Sequence, residues 1–237
     1  MFSIKVGVPY RLEVGTMKCY AEHYCKKNKQ ECSEVCGGYR VLKALYNLSK
    51  IPIGYQYNIP LVPEREDLPK YEELNEYMKN IEEMVGQGKG LYIWSSGTGT
   101  GKTSWACKIM GYYFRKIAFK SGLEYEGLYI FLPTFLENLR ASYDNPDPEF
   151  DEVLDYVRRC NLLIVDDIGA EKPSEWVRER LLSFINTRVS NELTTIYTSN
   201  LSLERLREKM GDRIVSRIIG STKEIELVGR DQRGRER

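Results

Sequence analysis

A strand-like apolar run that leads directly into a glycine-rich loop is the feature that most limits how this chain can fold. Residues 91–104 read LYIWSSGTGTGKTS. Glycines at Gly97, Gly99 and Gly101 let backbone amides converge on a phosphate, because no Cβ blocks the approach and positive φ is accessible. The loop and the helix expected after it therefore predict a site for the phosphates of ATP or GTP.

The side chains of this loop have separate expected roles. Lys102 supplies a point charge to the phosphates, and Thr103 offers a hydroxyl to Mg²⁺ at the start of the next helix. Ser96 stands where the strict pattern has glycine, so the first turn of the loop departs from that pattern. The predicted nucleotide-binding residues are Ser96, Gly97, Thr98, Gly99, Thr100, Gly101, Lys102, Thr103 and Ser104.

Two aspartates follow a second apolar run, which is contained in NLLIVDDIG at residues 161–169. Four consecutive apolar residues predict a buried parallel strand, and open α/β sheets bind ligands at the carboxyl ends of such strands. We expect Asp166 to hold Mg²⁺ through its water shell. We expect Asp167 to orient and polarise an attacking water, a role that a hydrolytic ATPase needs.

A third predicted strand, near 193–197, runs into Thr198, Ser199 and Asn200 at the same edge of the sheet. Asn200 has two interpretations. It could sense the terminal phosphate, or it could cap the helix that begins at LSLERLREKM. The two roles are compatible.

Alternating strand and helix patterns predict an α/β fold with a three-layer parallel sheet and right-handed crossovers. The expected strands lie near 91–95, 128–132, 162–166, 193–198 and 223–228, with helices between them.

Cysteines are concentrated near the start of the chain. Four of the six lie in residues 19–36, beside His23, the only histidine. A reducing cytosol disfavours disulfides, and four thiolates are the number that a tetrahedral zinc site requires. His23 could replace one thiolate, and the alternative is a helical region whose cysteines bind no metal. The predicted zinc ligands are Cys19, Cys25, Cys32 and Cys36.

Composition excludes some classes of protein. The formal net charge of the 237 residues is only +1, so no broad attraction to nucleic acid is expected and any DNA contact must be a local patch. Hydrophobic residues at 42% and charged residues at 29% are ordinary for a globular protein. With no apolar run of about 18 residues, we expect a cytoplasmic protein that does not cross a membrane.

Several separate motifs, in order, resemble the DnaC and DnaI helicase-loader ATPases of the AAA+ class, which also includes the IstB transposition helpers. The resemblance covers roughly residues 50–235 and lies in GKGLYIWSSGTGTGKT, LLIVDDIGAEKPSEWVRERLLSFINTR, TIYTSNLSLERL and GDRIVSRIIG. It implies an AAA+/RecA-like P-loop NTPase with the phosphate-loop strand in the middle of the sheet. This chain has two aspartates where many ATPases of the class have Asp then Glu, and the shorter carboxylate argues for slow turnover.

The resemblance also implies that ATP binds between neighbouring subunits and that an arginine reaches the ATP of the next protomer. In this chain that arginine is Arg217, with Arg213 four residues earlier on the same helical face. Arg233 is the arginine implied to contact the nucleotide of its own subunit.

Three regions are expected. Residues 1–50 form a cysteine-rich, zinc-binding, partner-binding module that ends in a helix, residues 51–68 form a proline-rich linker, and residues 69–237 form the ATPase domain. The apolar face predicted for the first helix is Val41, Leu42, Leu45 and Leu48. One amphipathic helix is expected from Pro69 to Gly86, with Tyr71, Leu74, Met78, Ile81 and Val85 on its apolar side.

The function that the resemblance implies is ATP-dependent loading of a DnaB-like replicative helicase. The zinc module would bind the helicase, and the ATPase domains would self-associate around single-stranded DNA. Arg140 and Lys172 lie on segments that could face DNA, although surface charge is the simpler interpretation. Two other functions stay open: an IstB-like transposition helper, which leaves the cysteine module unexplained, and an adaptor or inhibitor of a helicase that binds ATP without hydrolysing it.

Overall fold

A five-stranded parallel sheet forms the centre of the protein, described here from a computed structural model. The residues whose structure is described are 19–21, 25, 33–57, 61–120, 124–172, 174–229 and 231. The strands are β1 (Gly90–Trp94), β2 (Gly127–Phe131), β3 (Leu162–Asp166), β4 (Thr194–Ser199) and β5 (Thr222–Glu226). Their order across the sheet is β2-β3-β4-β1-β5, and each pair of neighbours is parallel.

Helices precede the first strand and connect each strand to the next. They are α1 (Gly37–Leu48), α2 (Leu68–Lys79), α3 (Ile81–Gly86), α4 (Lys102–Ile117), α5 (Leu132–Asp144), α6 (Pro148–Arg159), α7 (Glu175–Ser190), α8 (Leu203–Met210) and α9 (Asp212–Ser221). Short 3₁₀ turns at Ile53–Tyr55 and Arg65–Asp67 lie between α1 and α2. Local sequence defines several helix starts; Ser174, for example, accepts a hydrogen bond from Val177 N at 3.3 Å as the N-cap of α7.

The sheet has a helical layer on each face, so the expected three-layer architecture is confirmed. One face packs against α1 to α4, and the other packs against α5 to α9. Successive strand residues alternate between the two cores, as the period of two in a strand requires. Leu91 and Ile93 belong to the first core, while Tyr92 between them belongs to the second.

All five expected strands are present, four of them within one residue of the predicted ends, while β5 ends at Glu226, two residues before the predicted end at 228. The position of the phosphate-loop strand differs from the expectation. β1 is interior, between β4 and β5, but β4 is the middle strand.

The helix expected from Pro69 to Gly86 is two helices, because the chain leaves helical geometry at Asn80, where φ is −98° and ψ is 17°. In α1, Leu48 is exposed, whereas Tyr46 is buried with Leu42 and Leu45 against the core that contains α4. The limits of a separate module at 1–50 and of a linker at 51–68 remain predictions.

Among the described residues, no helix combines the length and the apolar character that crossing a membrane requires.

Candidate phosphate-binding and magnesium site

The loop between β1 and α4 has the backbone shape that phosphate binding requires. Gly99 and Gly101 have φ values of 71° and 94°, in the left-handed region that favours glycine. Ser96, which replaces the glycine of the strict pattern, is exposed and is not one of the residues with positive φ. Serine is therefore compatible with the first turn of this loop.

Lys102, the first residue of α4, directs its ammonium group into the phosphate-binding loop. Nζ donates a hydrogen bond to Gly97 O at 2.9 Å and lies 3.5 Å from Thr100 Oγ1. Only 8% of the residue is exposed. An ammonium group held in this way is placed to meet an anion that enters the loop.

Asp166 ends β3 with both carboxylate oxygens hydrogen-bonded. Oδ1 accepts from Thr103 Oγ1 at 2.8 Å and from Thr198 Oγ1 at 2.6 Å. Oδ2 accepts from Tyr129 OH at 2.8 Å. Thr103 and Asp166, which the sequence assigned jointly to Mg²⁺, are thus in direct contact across 63 positions of sequence.

Asp167 follows in a left-handed backbone conformation, with φ 63°. Such a φ is uncommon outside glycine and is best tolerated by asparagine and aspartate. Burial, and then the charge of Asp166, raise the pKa of the Asp167 carboxyl, while Lys102 and Lys209 act in the opposite direction. A carboxylate with a raised pKa is suited to accept a proton.

Asn200 faces Asp167 and does not cap a helix. Its Nδ2 donates to Asp167 Oδ1 at 2.9 Å. The N-cap of α8 is Ser202, whose side chain accepts from Arg205 N. The capping interpretation of Asn200 is therefore wrong, and the two polar side chains meet at the carboxyl end of the sheet.

Lys209 is a cation near the site that the sequence did not indicate. It lies on α8 and donates to Gly169 O, and its charge opposes the rise that burial causes in the pKa values of Asp167 and Glu171. Thr198 and Tyr129 are hydrogen-bond donors to Asp166 that the sequence did not identify either. No spacing rule reveals such contacts, because each joins separate elements.

The segment after β5 returns to the phosphate-binding loop. Asp67 is fully buried, and its two carboxylate oxygens accept from Val228 N and Gly229 N, each at 2.8 Å. Just beyond, the Asp231 carboxylate packs so closely on Gly99 that a Cβ at Gly99 would overlap it. An acidic side chain therefore lies against the loop that is expected to bind phosphate.

Arg217 of α9 makes hydrogen bonds within its own chain. Arg217 Nε donates to Asn186 Oδ1 on α7 at 2.6 Å, and Arg217 Nη1 donates to Arg213 O at 3.3 Å. Arg213 is exposed. Arg233 lies outside the described residues, so its role stays a prediction.

The four-cysteine zinc site also stays a prediction. Cys32 and His23 lie outside the described residues. Within the part of the chain that is described, which includes Cys19, Cys25 and Cys36, no three His, Cys, Asp or Glu side chains form a group that could hold a metal ion.

The donors at the carboxyl end of the sheet fit Mg²⁺. The Thr103 hydroxyl and the Asp166 carboxylate are hard oxygen ligands at the end of the phosphate-binding loop, and Mg²⁺ is commonly held by one or two such groups together with substrate phosphates. Lys102 and the glycines supply the complementary phosphate contacts.

A parallel sheet with a glycine-rich phosphate-binding loop after β1 and paired aspartates after β3 defines the class of P-loop nucleoside-triphosphate-binding proteins. Within that class, the model of the family IstB-like ATP binding protein matches residues 89–236, more than half of the chain. The chain belongs to this family.

Relatives in sequence include helicase-loading and transposition proteins. The chain is 26% identical over 206 residues to the replicative helicase loader DnaI of Bacillus subtilis (strain 168), a match that covers 81% of this chain and 62% of that protein. It is 36% identical over 104 residues to the protein assigned as the ATP-binding protein of insertion sequence IS1162 from Pseudomonas fluorescens, covering 44% of this chain and 41% of that one. The chain thus spans about three fifths or less of the length of these relatives.

Solved structures share the fold. The DnaC helicase loader aligns with a TM-score of 0.60 at 23% identity, covering 70% of this chain and 93% of that one. DnaI aligns with a TM-score of 0.58 at 22% identity, covering 78% and 93% respectively. The initiator DnaA, bound to AMPPCP and single-stranded DNA, aligns with a TM-score of 0.54 at 22% identity, covering 71% of this chain and 48% of that one. The resemblance to the DnaC and DnaI loaders is confirmed.

Proposed function

We propose that this protein binds ATP with Mg²⁺ and works as an ATP-dependent loader of a DnaB-like replicative helicase. The observation that carries the nucleotide site is the convergence of Thr103 and Asp166 at the end of a loop that already holds the Lys102 ammonium. The relationship to DnaI supports the choice of partner.

Nucleotide binding follows from the loop. Backbone amides of residues 97–103 and the N-terminus of α4 attract the phosphates, and Lys102 adds a charge that the loop has already oriented. Bound Mg²⁺ would neutralise phosphate charge, and Thr103 and Asp166 would hold it.

Hydrolysis is assigned to Asp167. Its raised pKa and its hydrogen bond to Asn200 fit a carboxylate that orients a water molecule and accepts part of its proton. The shorter aspartate in place of glutamate, set on a left-handed backbone, supports slow turnover that depends on assembly.

Assembly is expected to complete the catalytic site. Arg217 would reach the ATP of a neighbouring protomer, and it would have to leave its hydrogen bond to Asn186 to do so. A monomer whose arginine remains paired with Asn186 should hydrolyse ATP poorly.

A local cluster on α5 and α7 supports a contact with single-stranded DNA. The Arg140 guanidinium lies 4.9 Å from the centre of the Trp176 ring, and Tyr143 packs edge-on against that ring at 6.2 Å. Arg180 donates to the Tyr143 hydroxyl at 3.1 Å. Aromatic rings stack on bases and guanidinium groups neutralise phosphates, so weaker DNA binding by Arg140→Ala, with unchanged ATP binding, is the expected result. Lys172, exposed on the loop before α7, is the second candidate contact.

The N-terminal cysteine module is assigned to helicase binding, with zinc as its structural metal. Metal analysis of the purified protein should give about one zinc per chain. Equal zinc content and equal helicase affinity in a variant with serine at Cys19, Cys25, Cys32 and Cys36 would contradict both assignments.

ATP binding and turnover test the main proposal. We expect measurable ATP binding, and turnover that rises when single-stranded DNA or a DnaB-like helicase is added. Lys102→Ala should abolish binding, whereas Lys120→Ala, which removes an exposed lysine paired with Glu82, should leave it unchanged. Equal affinity of wild type and Lys102→Ala would refute the site.

A transposition helper is the second candidate, favoured by the family match and by the IS1162 relative. The partner decides between the two functions. Direct binding to a purified DnaB-like helicase supports the loader, while binding to a transposase alone supports the helper. A protein that binds both ATP and the helicase but never hydrolyses ATP would be an adaptor or inhibitor.

A further inference from the structure

The second oxygen of the Asp166 carboxylate has a hydrogen-bond donor that lies outside the phosphate-binding loop. Thr103 and Thr198 both donate to Oδ1, whereas Tyr129 donates to Oδ2 from β2 at 2.8 Å. The tyrosine contact fixes the rotation of this carboxylate about its last bond, because it holds the oxygen opposite the one that the two threonines bind.

The register of the sheet explains how Tyr129 reaches Asp166. β2 and β3 are parallel neighbours in which Phe131 pairs with Asp166 and Tyr129 pairs with Ile164. Tyr129 therefore lies on the same face as Asp166 but one pleat earlier. A phenol is long enough to span that distance along the strand, whereas a serine or threonine hydroxyl at this position would be too short.

Tyr129 is itself fixed by the segment that follows α1. Its backbone N donates to Ser49 O at 2.7 Å, across the side of β2 that does not pair with β3. Ser49 is fully buried and directly follows α1.

We propose that Tyr129 is a positioning residue for the magnesium-binding carboxylate of Asp166, and that it links this carboxylate to the end of α1. The inference rests on the proposed Mg²⁺–ATP site. Hydrogen bonds that orient a metal-binding carboxylate commonly change metal affinity by tenfold or more when they are lost.

The chain contains a matched control. Tyr113 OH donates to Glu126 Oε2 at 2.9 Å. Tyr113 is buried and Tyr129 is half-buried. Tyr113→Phe therefore deletes the same kind of tyrosine–carboxylate hydrogen bond away from the phosphate-binding loop. Phenylalanine keeps the ring in both variants. The midpoint of thermal unfolding, measured on the same samples, shows whether each variant is folded.

The experiment is equilibrium binding of a non-hydrolysable ATP analogue, first in EDTA and then with increasing Mg²⁺. For Tyr129→Phe we expect unchanged binding in EDTA and a rise of about tenfold in the Mg²⁺ concentration that gives the half-maximal effect. Tyr113→Phe should follow the wild type. In an Asp166→Asn background, Tyr129→Phe should cause no further change, because the carboxylate it orients is gone.

Two results would overturn the inference in different ways. If the wild type shows Mg²⁺-dependent binding and Tyr129→Phe has the same Mg²⁺ dependence, Tyr129 is a packing residue and the proposed nucleotide site stands. If the wild type itself shows no Mg²⁺-dependent binding, the proposed site fails, and the role of Tyr129 fails with it.

Discussion

At the scale of single residues, Asp167 combines a left-handed backbone with a raised carboxyl pKa. Glutamate tolerates this backbone poorly compared with aspartate or asparagine. The left-handed backbone at this position is therefore compatible with the second aspartate of the Asp–Asp pair.

Asp167→Asn should keep ATP binding and lower hydrolysis, because asparagine accepts the backbone conformation but cannot take a proton from water.

Asp167→Asn should also raise the free energy of unfolding at neutral pH. The raised pKa means that ionising Asp167 costs more in the folded state, so its contribution to stability is present below the unfolded pKa of about 4 and is lost as pH rises through the folded value. Urea unfolding at acidic and neutral pH measures this, and an equal difference between variant and wild type at both pH values would contradict it.

Arg188 is a fully buried cation that donates hydrogen bonds to neutral groups. Its guanidinium donates to Thr195 Oγ1 at 2.9 Å, to the carbonyls of Val157 and Cys160 at 2.8 and 2.9 Å, and to Thr194 O at 2.6 Å. It joins the C-terminal half of α7 to the ends of α6 and β4. Arg188 thus has a structural role at the amino end of β4, away from the phosphate-binding loop.

Arg188→Met should lower the free energy of unfolding by about 3 kcal/mol or more, because several buried carbonyls lose their donor together. ATP affinity should be unchanged under conditions where the variant is folded. Denaturant unfolding makes the measurement. Arg159→Met, which removes an exposed arginine of α6, is the control and should have little effect; matching losses in the two variants would refute the structural role.

At the scale of elements, the segment after β5 is held by the turn before α2. Asp67 binds the backbone of Val228 and Gly229, and the chain then brings Asp231 against Gly99. The negative charge of the Asp231 carboxylate would repel the phosphates of a nucleotide bound in this loop. We therefore expect Asp231 in this position to weaken nucleotide binding.

Asp231→Asn should tighten ATP binding by about fivefold, the equivalent of roughly 1 kcal/mol for one partly solvated charge pair. Isothermal titration at low and high salt provides the measurement, and the gain should shrink as salt screens the repulsion. Asp212→Asn, at an exposed aspartate paired with Arg207, is the matched control. Unchanged or weaker ATP binding by Asp231→Asn would show that the carboxylate does not compete with phosphate.

At the scale of the whole molecule, the site of one chain is expected to need a second chain. An arginine supplied by a neighbour can accelerate phosphoryl transfer by roughly 10³ to 10⁵, so specific activity should rise with protein concentration or on single-stranded DNA. Arg217→Ala should reduce this stimulated activity and leave ATP binding intact.

A mixture of Arg217→Ala and Lys102→Ala chains provides the sharper test. Each variant spoils a different half of a shared site, so the mixture should regain part of the turnover that each lacks alone. Arg213→Ala shows whether the second arginine of α9 contributes. Wild-type turnover by Arg217→Ala under assembly conditions would contradict the shared site.

Local and periodic features of the sequence determined the five strands, the phosphate-binding loop and the roles expected of Lys102, Thr103 and Asp166. Glycine spacing and apolar runs act within a few residues, so they can be read directly. The interruption of the helix at Asn80 and the burial of the Tyr46 side chain could not be predicted in this way, because tertiary packing overrides weak local preference.

Only the tertiary structure decided that Tyr129 and Thr198 hold Asp166, that Lys209 stands near Asp167, and that Asp231 reaches Gly99. These contacts join residues on different strands and helices, and they depend on strand order and register. Strand order arises from pairing between distant segments, and no spacing along the chain encodes it. The physical reason for the division is therefore range: short-range patterns specify the elements, and long-range pairing specifies which side chains meet.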